Sequence, residues 1–218
     1  MDWFKNAHLE LDTLFISDEV YSEAELLSRA QCSAASFHFL FHQIIKKLKI
    51  RDTWEQYQIG LLPSCTECHE RSKKLGANFS FGISTVGWFF NIPITHPELI
   101  CYMRDEFWFY LSGLSQIGKV EFYDMGKPSN WGKDKKATKY AKLQKSMVFS
   151  IMRDFMLSDE ETLYTHGLGE ISVTLPIDKM EEEVFSFYEG VIQAAYKMNY
   201  LLYRDYYQKE KQRVKLRK

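Results

Sequence analysis

The stretch Ser64–Lys74, SCTECHERSKK, decides how this chain is read. Ser64 stands three residues before Glu67, the spacing of a capping box. In such a box the serine hydroxyl accepts from the third backbone N–H, and the glutamate returns to the serine N–H. The local chemistry therefore predicts a polar helix that opens at Ser64 and stops near Gly76. Cys65, Cys68 and Leu75 then form its inward stripe, because cysteine packs as a small hydrophobe. The same residues spell Cys-x-x-Cys-His, the literal form of a c-type haem attachment site. That chemistry belongs to exported proteins, and the acidic start MDWFKNAHLELDTLF has no basic lead into an uninterrupted apolar run. Haem is accordingly not expected.

Four more capping boxes lie outward from this stretch, at Ser22–Glu25, Thr95–Glu98, Ser158–Glu161 and Asp178–Glu181. Apolar residues at the 3.6 period predict helices over about 22–49, 97–114, 133–157 and 179–211. The first carries Leu27, Ala30, Ala34, Phe37, Phe41, Ile44 and Leu48 on one stripe. Between the helices, alternation of period two predicts half-buried strands at 78–83, 120–123 and 170–177, with Trp88–Phe90 as a further one. The expected fold class is α+β and mainly helical, with about five to seven helices packed on a small antiparallel β-sheet.

The chain has 218 residues, 45% of them hydrophobic, which suffices for one sizeable core. A single domain over 1–218 is expected, with the Gly- and Pro-bearing segment 125–133 as the candidate internal boundary. No run approaches the roughly 18 apolar residues of a membrane span. The cytoplasm is the expected compartment and no membrane is expected as a partner. Four cysteines are too few for a disulfide scaffold in a chain of this length, so reduced thiols or a metal site are expected.

The metal candidate follows from spacing. His38 and His42 lie four apart on the long helix and share a face, as two imidazoles on one zinc ion require. Cys65 and Cys68, on the capped helix, would complete a structural zinc set of His38, His42, Cys65 and Cys68. Without that zinc, no cofactor is expected.

Charge is polarised although the formal net charge is only −1. Segment 127–145 holds seven lysines against Asp134, and Gln208–Lys218 holds six bases against Glu210. Lys135, Lys139 and Lys142 share a helical face, with Lys136 and Trp131 beside it. Such a face suits phosphate contact or an acidic partner protein. Walker, dinucleotide, nucleophile-elbow and HExxH motifs do not occur. His166, in YTHGLGE, is the one loop histidine with the makings of a general base.

The segment Leu27–Leu48, LSRAQCSAASFHFLFHQIIKKL, loosely resembles the Ser-Arg-Ala…Phe-His helix of HEPN proteins, through Ser28, Arg29, Ala30, Phe37 and His38. The resemblance implies a helical domain of the kind found in RNA-cleaving defence systems. The family's catalytic Arg-x4–6-His is not present in the chain, so the resemblance transfers no nuclease site. The expected function is a non-catalytic intracellular binding or regulatory protein, such as an interaction or immunity-type factor of a microbial or phage conflict system. The alternative is a nucleic-acid-binding protein or nuclease that uses the 127–145 face. Protein or RNA/DNA are the corresponding partners.

Overall fold

A computed structural model describes residues 3–11, 23–62, 65–123 and 170–216. Four α-helices are found among them: α1 (Trp3–Leu11), α2 (Glu23–Lys47), α3 (Asp105–Ile117) and α4 (Glu181–Leu216), with a 3-10 helix at Pro97–Tyr102. This is fewer than the five to seven expected. The strands are β1 (Trp54–Leu62), β2 (Cys65–Ser72), β3 (Asn78–Ser84), β4 (Gly87–Pro93), β5 (Lys119–Tyr123) and β6 (Glu170–Leu175). They form one six-stranded antiparallel sheet in the order β1-β2-β3-β4-β6-β5. The α+β class stands. The HEPN-like helix is present within α2, but it packs on this sheet rather than in a helical domain. The predicted basic helix at 133–157 and the candidate boundary at 125–133 lie outside the described residues. No described helix is long and apolar enough to cross a membrane.

The main correction is β2. Cys65–Ser72, CTECHERS, is a strand, not a helix. Its burial alternates: Cys68, Glu70 and Ser72 are buried, while Glu67 and His69 are half-buried and Arg71 is exposed. β2 pairs with β1 on one side and β3 on the other, so its backbone groups find partners in two ladders. That gain outweighs the local helix signal, because propensity is a weak prior against tertiary pairing. The glycine expected to end a helix instead sits in the β2–β3 turn. Gly76 has φ +66°, and its N–H donates to the Ser72 carbonyl at 3.0 Å.

Other boundaries shift for identifiable reasons. The aromatic helix predicted over 97–114 is split, since Met103 and Arg104 are extended and α3 begins at Asp105. The Met103 carbonyl accepts from Trp108 Nε1 at 3.1 Å, which fixes the break. Thr95 does not cap the 3-10 helix, because its hydroxyl and N–H are both bound to Asn199. At α4 the return bond runs from Glu183 rather than Glu181, with the Met180 N–H donating to its carboxylate at 3.1 Å.

By contact, the chain divides into two compact units, Met1–Asn91 with Thr174–Ile192, and Ile92–Val173 with Gln193–Lys218. In the first, α2 lays Phe37, Leu40, Phe41 and Ile44 against the inward row of β3 and β4, namely Phe79, Phe81, Ile83, Trp88 and Phe90. Phe81 stacks between Phe41 at 5.2 Å and Phe90 at 5.5 Å. Tyr188 meets Phe37, Phe81, Trp88 and Phe90 edge-on and donates its hydroxyl to the Gly82 carbonyl at 2.7 Å. A buried phenol finds its partner there without leaving the aromatic cluster.

The second unit has a buried polar hub. Asn199 is fully buried, and its amide oxygen accepts from Thr95 N and Thr95 Oγ1, both at 2.9 Å. Its Nδ2 donates to the Pro93 carbonyl at 2.9 Å and the Ala195 carbonyl at 3.1 Å. Asn199→Ala strands these groups in the interior and should lower stability by about 1–3 kcal/mol. Urea unfolding of the variant beside the parent measures the loss, and a change below about 0.5 kcal/mol would contradict the hub.

Candidate metal centre

Helix α2 carries His38 and His42 one turn apart, with ring centroids 4.3 Å from each other. Strand β2 lies under this stretch of helix. Glu70 is on the helix-covered row of β2, paired with Phe79 of β3, and its side chain is 0% exposed. His38 Nδ1 is hydrogen-bonded to Glu70 Oε1, and His42 Nε2 stands 3.7 Å from the same oxygen. One ligand atom from each of the three residues lies within 4.8 Å of the other two.

The electrostatics are those of a buried acid facing two bases. Burial lifts the Glu70 carboxyl above its ordinary range, and the hydrogen bond from His38 opposes that lift. The pKa of His42 is lowered, first by burial and then by the neighbouring His38, which favours the neutral imidazole that ligates metals. The second carboxylate oxygen, Glu70 Oε2, is buried and has no hydrogen-bond partner. Burying such an oxygen unsatisfied costs on the order of 1–3 kcal/mol. A divalent ion held by both imidazoles and by both oxygens of this carboxylate would remove that deficit. Two nitrogens and a carboxylate suit zinc or iron(II), and two histidines at i and i+4 of a helix are a familiar way to present the nitrogens.

The structure places the four predicted zinc ligands as follows. His38 and His42 share the face expected of them. Cys68 is buried on the inward row of β2 but lies outside the three-residue group. Burial pushes its thiol up to about 12, with the Glu70 and Glu67 carboxylates adding to it. Cys65 opens β2, five residues before Glu70, which on a strand separates the two backbones by about 16 Å. The Cys65 side chain is outside the described residues. On a helix Cys68 and His69 would each lie one turn from Cys65, but on this strand they face opposite ways. His69 instead lies with Glu67, 3.5 Å away, and accepts from Asn78 Nδ2 at 3.4 Å.

Glu70 is the site residue that sequence reasoning missed. Its signal was faint: an acid two positions after Cys68, on the same side only if the segment is a strand. The predicted nucleic-acid face of Trp131, Lys135, Lys136, Lys139 and Lys142 lies outside the described residues, as does His166. Part of the basic C-terminus is described and is folded into α4. There Lys209 lies 4.0 Å over the Tyr102 ring and Lys211 lies 4.5 Å over Tyr207. Comparison with protein-family models, with curated proteins and with solved structures finds no match to this chain.

Proposed function

We propose that this chain is a metal-binding protein that holds one divalent transition-metal ion on His38, His42 and Glu70. The expected binding or regulatory role is thereby narrowed to a named ligand class, and the zinc set is revised to include a carboxylate in place of the two cysteines. One observation carries the reading. A glutamate is fully buried beneath two half-exposed imidazoles, with one carboxylate oxygen left unpartnered. A glutamate kept only to anchor a histidine would turn its free oxygen to a donor or to solvent.

Titration of untagged protein with zinc or cobalt(II) against a chromophoric chelator tests this. The expected result is one ion per chain with a dissociation constant of about 1 μM or tighter. His38→Ala, His42→Ala and Glu70→Gln should each weaken binding at least about tenfold. Metal at a hundred times the parent's dissociation constant should stabilise the parent by about 2.7 kcal/mol and a variant weakened tenfold or more by about 1.4 kcal/mol or less. Glu70→Gln also separates metal binding from a purely structural role. The folded Glu70 carboxyl titrates above the 4.5 of an ordinary glutamate, so above that pH the folded state holds a proton that the unfolded state has released. That contribution to stability falls as pH rises through the window. Glutamine has no such loss, so metal-free Glu70→Gln should equal or exceed the parent in stability at neutral pH while losing the metal. Substoichiometric binding, or binding that all three variants leave intact, overturns the proposal.

A further inference from the structure

We infer that this centre is of the open kind: it leaves at least one coordination position to solvent, where a water molecule or a small anion exchanges. The inference rests on the metal-binding reading above and adds what the bound ion would offer. Among the described residues, three side chains supply His, Cys, Asp or Glu ligand atoms to the group, and no fourth joins them. Closed structural zinc sites take four protein ligands, whereas three protein ligands with a free position are the mark of sites that engage an exogenous ligand.

The burial of the three residues is lopsided in the way an open site needs. Glu70 is 0% exposed and lies on the sheet side, while the His38 and His42 side chains are 38% and 41% exposed. An ion between them has protein on its carboxylate side and solvent access on its imidazole side. Cys68, the nearest further thiol along the inward row, is buried and lies outside the three-residue group, so it does not close the fourth position. The neighbours on that stretch of α2 do not cover it with a carboxylate either, since Ala35, Phe39, Gln43, Lys46 and Lys47 are its exposed residues. Exposed Lys46, one turn beyond His42, adds a positive charge on that side, so anions are the favoured exchanging ligands. Exchange needs no redox partner: the incoming donor forms a bond to the ion, the water leaves, and no bond within the protein breaks. An ion with such a position can polarise a carbonyl or phosphoryl oxygen placed there.

Cobalt(II) gives a direct readout, because its visible bands report coordination number and geometry. The full chain loaded with one cobalt(II) is titrated with azide. The expected result is a saturable change in the visible bands, one azide per ion, with a dissociation constant on the order of 1 mM. Lys46→Ala should weaken azide binding severalfold without changing cobalt affinity, and thereby tests the preference for anions. Cobalt that binds stoichiometrically but whose spectrum is indifferent to saturating azide overturns the open site while leaving the metal-binding reading intact. Failure of cobalt to bind overturns both.

Discussion

Gly87→Ala is expected to abolish stable folding, or to lower stability by more than about 4 kcal/mol, a loss that few single substitutions reach. Gly87 begins β4 with φ +149°, a conformation that side-chain-bearing residues rarely adopt. Holding alanine there costs on the order of 1–3 kcal/mol in backbone strain. The second contribution is steric. An added Cβ would lie 2.2 Å from the Leu175 carbonyl oxygen and 3.1 Å from its carbon. Both are backbone atoms, so no rotamer change relieves the clash, and one of the two chain segments has to move. Gly76→Ala is the matched control. Gly76 also has positive φ, at +66°, but an added Cβ there has nothing within 4 Å. Its expected loss is strain alone, about 1–2 kcal/mol. Guanidinium unfolding and soluble yield of the two variants make the comparison, and equal losses would refute the role given to the Gly87–Leu175 approach.

Phe81→Ala should lower stability by about 3–5 kcal/mol, the range for deleting a buried aromatic. Phe81 is 1% exposed and is stacked between Phe41 of α2 and Phe90 of β4. Phe37 and Tyr188 close its edges at 6.3 Å and 6.1 Å. Helices and strands converge on this ring, so the space it leaves cannot close by adjusting one element alone. Phe81→Leu retains most of the volume and should lose less, by roughly 1.5 kcal/mol or under. Denaturant midpoints at constant slope measure both. An alanine variant within about 1 kcal/mol of the parent would show that the site can collapse and that the stack is not the centre of this core.

What could be read from the residues divides along physical lines. Helix α2, the greater part of α4 and the β6 segment were legible, because their apolar residues keep a strict period of 3.6 or 2. Strand β1 was not. A register irregularity between Gln56 and Ile59 interrupts its pairing with β2 and so breaks the alternation that marks a strand. Strand β2 was hidden for a different reason. Its inward row is Cys68, Glu70 and Ser72, and no hydrophobicity count identifies the last two as inward. The candidate site inherits that asymmetry. The histidine pair lies within one helix and its spacing is visible in the sequence. The carboxylate that faces it comes from a strand thirty-odd residues on, and it becomes visible only once the strand and its covered face are known.

The two faces of β2 also carry an implication for descent. On one side stand Cys68, Glu70 and Ser72, each enclosed by other elements. On the other stand Glu67, His69 and Arg71, nearer to solvent, with Ser80 and Asn91 of the adjoining strands hydrogen-bonded alongside. Mutations in the outer row meet water or an adaptable polar neighbour, so lineages can drift through many sequences there. The inner row has less latitude where the ion is kept: under the proposed metal binding, a change at Glu70 also removes the use of His38 and His42. Divergent copies of this fold should therefore keep or lose those three residues together, while the residues between them on the strand turn over one at a time.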